Sequence, residues 1–122
     1  MADKLLIVIA NVDLTNADQL QLPLSQAATA AAMEYEVEVI FSGLASQLAF
    51  KHIAQAICTR SSDVKTALQL IQAAKAAGVV FKVCTPEVAA QGNDLLAEID
   101  ETVGATYVIT EAMDDGVVTF TY

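Results

Sequence analysis

The strongest indication of the architecture is the stretch Ala73–Cys84, which has the sequence AAKAAGVVFKVC. Its first part closes a predicted helix, for which Ser61 or Ser62 is the expected N-cap. The apolar stripe of that helix consists of Val64, Leu68, Ile71 and Ala74. Gly78 stands where a helix end favours a left-handed residue, and Val79–Cys84 is then predicted to be a strand. This order of elements is typical of an α/β protein.

Strands and helices alternate along the rest of the chain. The other predicted strands are Leu5–Ile9, Glu36–Phe41, a short one at Val103, and Val117–Phe120. The other predicted helices are 17–35, one or two short helices within Gly43–Cys58, a helix opened by Thr85-Pro86-Glu87, and Gly104–Met113. Continuous apolar runs such as Leu5–Ile9 are typical of strands covered on both faces. We therefore predict one domain, 1–122, with an α/β fold: a three-layer α/β/α sandwich around a mainly parallel sheet of about five strands.

Composition narrows the classes of function. Of the 122 residues, 55% are hydrophobic, which excludes intrinsic disorder. Fifteen acids against six bases give a formal charge of −9, which disfavours nucleic acid and anionic membrane surfaces as partners. The amino-terminal apolar run is too short for a signal peptide or a membrane span, so we expect a cytoplasmic protein with reduced cysteines.

Known motifs for metals and cofactors are missing from the sequence. Cys58 and Cys84 have neither C-x-x-C nor zinc-finger spacing, and His52 has no ligating companion at helical spacing. The five glycines form neither a dinucleotide fingerprint nor a P-loop. We therefore expect no metal and no cofactor, and a hydrolase of the nucleophile-elbow type is disfavoured.

Cys84 is the main candidate for chemistry. Ligands of parallel sheets bind beyond the carboxyl ends of the strands, and Cys84 ends a predicted strand just before a predicted helix, whose dipole favours a thiolate. Lys82 lies on the same side of that strand and can add positive charge, whereas Glu87 opposes it. His52 is a candidate proton donor or acceptor, and Cys58 is interpreted as a core or interface thiol. The alternative for Cys84 is a thiol that only fills core volume.

The quoted stretches also support a family resemblance. Lys4–Ile9, the helix leading into Glu38–Phe41, the block Ala73–Cys84, and Gly104-Ala105 before a helix and a final apolar strand are similar to the DsrE/DsrF-like family, which includes the TusD-type subunits of sulfur-relay complexes. The resemblance implies a three-layer α/β fold and homo-oligomers, often trimers or hexamers. It also implies a cysteine that holds sulfane sulfur as a persulfide, and that role falls on Cys84.

Three functions follow as hypotheses. The first is a sulfur carrier or sulfurtransferase that loads Cys84 and passes the sulfur to a thiol of another sulfur-relay protein, with His52 as acid/base and Lys82 as thiolate stabiliser. The second is a non-catalytic module binding a small anion or nucleotide, based on the polar loop Asn11–Asn16 and a basic-leaning middle segment. The third is a structural subunit with an apolar surface at Leu44–Ile57. A redox pair of Cys58 and Cys84 is a minor further option.

Overall fold

Five parallel strands form the centre of the protein. The structure, a computed structural model, describes residues 3–60, 63–84 and 95–122. The strands are β1 (Lys4–Ile9), β2 (Glu36–Phe41), β3 (Val80–Cys84), β4 (Ile99–Val103) and β5 (Val117–Thr121). The helices are α1 (Gln21–Ala32), α2 (Lys51–Ala54), α3 (Ala67–Ala76) and α4 (Ala105–Ala112), with 3₁₀ segments at Ala17–Leu20 and Gly43–Ala49. The predicted helix opened by Thr85-Pro86-Glu87 lies outside the described residues.

The strand order is β4-β3-β2-β1-β5, and every neighbouring pair is parallel. Helices α1 and α3 pack on one face of the sheet, and α4 packs on the other. The predicted α/β sandwich with a parallel five-stranded sheet is therefore confirmed. None of the helices in the described ranges is long and apolar enough to cross a membrane.

The two faces of the sheet are packed very differently. Alternate side chains such as Ile7, Val39 and Phe81 point toward α1 and α3 and belong to a large cluster of fully buried residues. The opposite face has a small cluster of Leu6, Ile40 and Val103. Helix α4 covers this cluster without fully burying any residue of its own. Apolar burial therefore anchors α4 much less than it anchors α1 and α3.

The start of α3 differs from the expectation. Ser61 and Ser62 lie outside the described residues, and the N-cap is Thr66, so Val64 precedes the helix and is exposed. Thr66 Oγ1 accepts a hydrogen bond of 3.1 Å from the Gln69 amide, and Gln69 Oε1 accepts one of 2.8 Å from the Thr66 amide. This capping box satisfies two amides, which is why the helix begins here. At its other end, the φ of +108° at Gly78 confirms the predicted left-handed turn.

Replacing Thr66 with alanine is expected to lower the free energy of unfolding by about 1 kcal/mol, because the capping box loses its acceptor. Urea denaturation followed by circular dichroism measures the change. Thr110→Ala, in the exposed interior of α4, is the matched control. We expect no loss there, since alanine is the better helix former. A Thr66→Ala protein as stable as the control variant would show that the box contributes nothing.

Candidate functional site

The ends of β2 and β3 bring a thiol and a hydroxyl together. These strands pair in parallel with Phe41 opposite Val83, so Ser42 and Cys84 are neighbours at the carboxyl edge of the sheet. The Cys84 thiol lies 3.4 Å from Ser42 Oγ, to which it donates a hydrogen bond. Gly43 follows with a φ of +54°, which allows the chain to turn away directly after the hydroxyl. Ser42 is therefore positioned to donate a hydrogen bond to a Cys84 thiolate.

The Cys84 side chain is half-buried and its thiol is free. It packs against the small cluster of Leu6, Ile40 and Val103 beneath α4. The sulfur is thus neither sealed in the main core nor fully open to solvent. A position of this kind suits a nucleophile that must be reached by a partner and shielded from bulk water.

Cys58 is different, because it is exposed. Its Sγ lies 4.0 Å from the carbonyl oxygen of Ala56, and its thiol is also free. The residue forms a bridge to Thr66 in front of α3. Of the two positions expected for Cys58, the core is wrong, because the turn between α2 and α3 leaves the residue on the surface. A position in an interface with another chain stays a prediction.

Lys82 lies on the Cys84 face of β3 and belongs to a charged cluster beneath α4. Its Nζ contacts the Tyr107 hydroxyl at 2.7 Å, Glu38 Oε1 at 3.0 Å and Glu101 Oε1 at 3.0 Å. Partial burial alone would lower the pKa of Lys82, but these hydrogen bonds outweigh it and hold the pKa well above its usual range. The lysine is therefore a permanent cation whose charge is already shared among three oxygens.

Glu38 is the centre of this cluster and is 5% exposed. Its carboxylate pairs with Lys4 and Lys82 and accepts a 2.7 Å hydrogen bond from the Tyr107 hydroxyl. Burial alone would raise the pKa of Glu38, but the hydrogen bonds from Lys4, Tyr107 and Lys82 lower it. Lys4 also contacts Glu111 of α4 at 3.2 Å. The cluster thus ties α4 to strands β1, β2 and β3.

Glu38 and Tyr107 are not among the site residues predicted from the sequence. The available signal was charge within apolar strands: Lys4, Glu38 and Lys82 all occupy strand positions that face α4. One acid with a base on each neighbouring strand is typical of a buried ion-pair cluster. That signal becomes visible only when the strand order places β2 between β1 and β3.

His52 lies on α2 and is exposed. Its ring centroid is 6.4 Å from that of Phe50. Within the described part of the chain, no hydrogen bond, ion pair or ring contact joins His52 to Cys84. The roles of His52 and Lys82 at the thiol therefore stay predictions. The Cys84 thiol itself contacts the Ser42 hydroxyl.

Side chains of the polar loop Asn11–Asn16 form hydrogen bonds within the loop and with the 3₁₀ segment that follows it. The Asp13 carboxylate accepts hydrogen bonds from the amide and hydroxyl of Thr15 at 2.8 and 2.6 Å. These bonds lower the pKa of Asp13. Asn16 caps the following 3₁₀ segment by accepting from the Asp18 amide. Carboxylates at this edge disfavour an anion, so the loop gives the anion-binding hypothesis no support.

The basic-leaning middle segment is also partly neutralised. Lys65 pairs with Asp63 at 3.6 Å. The Asp18 carboxylate also lies beside the segment, since it accepts a hydrogen bond of 3.0 Å from the backbone amide of Arg60. Over the described residues, no group of three or more His, Cys, Asp or Glu side chains converges to hold a metal ion.

The apolar surface expected at Leu44–Ile57 is largely buried. Leu48 and Ile57 belong to the main core, and only Leu44 in this stretch is a large exposed hydrophobic residue. The 3₁₀ segment and α2 fold back over the sheet, which covers these side chains. The other large exposed hydrophobic residues of the described ranges lie on α1, β5 and α4 and in the connections: Leu22, Met33, Tyr35, Val64, Ile109, Met113, Val118 and Phe120.

Comparison with solved structures agrees with this architecture. The ychN protein from E. coli superposes with a TM-score of 0.68 at 17% sequence identity, over 98% of this chain and 100% of that chain. BT1422 from Bacteroides thetaiotaomicron, a conserved protein of unknown function, has a TM-score of 0.67 at 13% identity, over 98% and 95%. The chain therefore shares the fold of these two proteins. No protein-family model and no curated protein matches the sequence.

Proposed function

We propose that this protein is a member of the DsrE/DsrF-like family and a sulfur carrier that holds sulfane sulfur as a persulfide on Cys84. The observation that carries the proposal is the free, half-buried Cys84 thiol at the carboxyl end of β3, 3.4 Å from the Ser42 hydroxyl. The fold shared with the ychN protein supports it. The carboxyl edge of a parallel sheet is where such folds place their reactive groups.

Loading is a thiol exchange between a donor persulfide and Cys84. The Cys84 thiolate attacks the outer sulfur of the donor R–S–SH, a new S–S bond forms to Cys84, and the donor's S–S bond breaks. The electron pair of that bond leaves with the donor as a thiolate. Unloading is the same step with an acceptor thiolate as the nucleophile, so Cys84 returns to its thiolate. No external oxidant or reductant takes part in either direction.

Ser42 stabilises the charged forms of this cycle. Its hydroxyl is the polar group beside the sulfur, and rotation of the O–H turns it from acceptor to donor when Cys84 loses its proton. A hydrogen bond to a charged acceptor is roughly twice as strong as one to a neutral acceptor. Ser42 thus favours the thiolate before attack and the departing thiolate after unloading.

The partners of this cycle are other sulfur-relay proteins that supply and accept the sulfur through their own thiols. The carrier works in the cytoplasm as a homo-oligomer, a trimer or a hexamer. Its net charge of −9 supports protein thiols rather than nucleic acid or anionic membrane as its targets.

Incubation with polysulfide followed by intact-protein mass spectrometry tests the proposal. We expect the wild-type protein and Cys58→Ser to gain sulfur that a reducing agent removes, and Cys84→Ser to gain none. Cys58→Ser is the matched control, because the chain has two cysteines and each variant keeps one of them. Sulfur that adds to Cys58 alone, or no addition to the wild-type protein, contradicts a carrier on Cys84.

A further inference from the structure

Strand β5 is an edge of the sheet, and its backbone groups divide into two sets. The Tyr122 amide donates to Val8 and the Tyr122 carbonyl accepts from Ala10, both at 2.8 Å, so this residue points its polar groups toward β1. Backbone directions alternate along a strand. Val118 and Phe120 therefore also point their amides and carbonyls toward β1, whereas those of Val117, Thr119 and Thr121 point outward. Among the described residues, β5 pairs with β1 and with no other strand.

This edge has none of the features that usually prevent strands from pairing with other chains. Its sequence, VVTFT, contains no charge, no proline and no glycine, and it is rich in β-branched residues. No bulge interrupts its pairing with β1. An edge of this composition is a template for a further strand.

An apolar groove lies beside the edge, between α1 and β5. Its volume is about 510 Å³, and Met33, Tyr35, Val118 and Phe120 are among the residues that line it. Val118 is 46% exposed and Phe120 39%, and both lie on the face of β5 that is shared with Leu5 and Ile7. Exposed apolar side chains that adjoin an open strand edge are typical of an interaction surface.

The distribution of charge on the protein favours a second copy of the same chain as the occupant of this groove. Fifteen acids against six bases make two copies repel each other over most of their surfaces. Helix α1, QLPLSQAATAAA, and strand β5 contain no charged residue at all. Lys4, whose ammonium is paired with Glu38 and Glu111, is the charged residue among those that line the groove. The α1–β5 face is thus a surface through which two such acidic chains can meet without opposing acidic side chains.

The register of that contact follows from the outward backbone groups. A two-fold axis through Thr119 pairs Thr119 with its counterpart and Val117 with Thr121 of the second copy. The outward amides of Thr119 and Thr121 then meet the outward carbonyls of Thr119 and Val117 of the other copy, whereas the Val117 amide donates to the Asp114 carbonyl of its own chain at 3.1 Å. The positions between them place Val118 opposite Phe120 of the other copy at a non-hydrogen-bonded pair, where side chains are closest. Pairing of an aromatic with a β-branched side chain is favourable.

We propose that the outer edge of β5 is the two-fold interface of a homodimer, in which two β5 strands pair antiparallel and join the two sheets into one. The two α1–β5 grooves then form one continuous apolar surface across the axis. This contact is independent of sulfur chemistry at Cys84. Of the trimer and the hexamer proposed above, it is compatible with the hexamer, built from three such dimers, and not with an isolated trimer.

Size-exclusion chromatography with light scattering tests the interface. We expect the wild-type protein to have the mass of a dimer or of an even multiple of it. The variant Val118→Lys/Phe120→Lys places ammonium groups opposite each other at the axis, and we expect it to lose the two-fold contact at the same concentration. Ile109→Lys/Met113→Lys on the exposed side of α4 is the matched control and keeps the wild-type mass. A monomeric wild type, an odd-numbered assembly, or dissociation by the α4 variant alone overturns the proposal.

Cross-linking decides the register and does not depend on the folding of the lysine variant. Antiparallel partners in a hydrogen-bonded pair have Cα atoms about 5.5 Å apart, which a disulfide can span. In a Cys58→Ser/Cys84→Ser background, we expect Thr119→Cys to form a covalent dimer on mild oxidation. Thr121→Cys alone forms none, but it links to Val117→Cys when the two proteins are mixed. Cross-linking of Thr121→Cys with itself, or none at Thr119→Cys, contradicts this interface.

Discussion

Replacing Glu38 with alanine is expected to lower the free energy of unfolding by about 3 kcal/mol. Glu38 is 5% exposed and neutralises the ammonium groups of Lys4 and Lys82. Without it, two partly buried cations lie side by side with weaker partners, and Tyr107 loses its acceptor. Breaking a buried ion pair from one side costs more than the pair contributes, because the remaining charge stays desolvated.

Urea denaturation at neutral pH measures this loss. Glu36→Ala is the matched control: it removes the same side chain from the same strand, but Glu36 is exposed. We expect the control to change stability by no more than about 0.5 kcal/mol. Equal effects of the two substitutions would mean that the cluster contributes no more than a surface charge does.

The same cluster predicts a dependence on pH. The folded state holds the pKa of Glu38 below its usual value, so the unfolded state binds the proton more readily. The stabilisation is therefore present above the ordinary pKa of a glutamate and is lost as the pH falls through the lowered, folded-state pKa. We expect the stability difference between wild type and Glu38→Ala to shrink in acid below about pH 4. A difference that stays constant down to pH 2 would contradict this assignment.

Replacing Ile71 with alanine is expected to destabilise the protein by about 3 kcal/mol. Ile71 is fully buried on α3 and packs in the main core beneath α1 and the sheet. Its removal leaves a cavity among side chains that are themselves held by the parallel strands, so the surroundings collapse only in part. Thermal or urea unfolding measures the loss.

Ile109→Ala makes the same chemical change on another helix. Ile109 is 63% exposed on α4, and we expect its replacement to alter stability by no more than about 0.5 kcal/mol. The comparison isolates burial, because residue type and secondary structure are the same in both variants. If Ile109→Ala proved as damaging as Ile71→Ala, α4 would be anchored by apolar packing and not chiefly by the Glu38 cluster.

The helices on the two faces of the sheet are attached by different interactions. Helices α1 and α3 are attached by a large apolar core. Helix α4 is attached by a small apolar cluster, by the ion pair of Glu111 with Lys4, and by hydrogen bonds of Tyr107 with Glu38 and Lys82. Cys84 lies on the face of the sheet that α4 covers. The candidate thiol is therefore located on the more lightly packed face of the sheet, where its side chain is half-buried.

Local patterns in the sequence determined the strands and the class of fold. The alternation in Glu36–Phe41 and the apolar run Leu5–Ile9 predicted β2 and nearly all of β1, because the signal for a covered strand lies within the strand itself. Gly78 determined the end of α3 for the same local reason. The position of Cys84 at the carboxyl edge of the sheet followed from the general rule for parallel sheets, since Cys84 ends a predicted strand.

Only the tertiary structure decided which side chains meet. Glu38 belongs to an alternating stretch that is typical of a half-exposed strand, yet it is buried because β1 and β3 place Lys4 and Lys82 on either side of it. Lys82 was expected to add positive charge near the thiol, which stays a prediction, and its contacts with Glu38, Glu101 and Tyr107 could not be foreseen from the sequence. The physical reason is that a buried charge takes its partner from strands far apart in the sequence, and strand order and register, which no local pattern contains, bring those strands together.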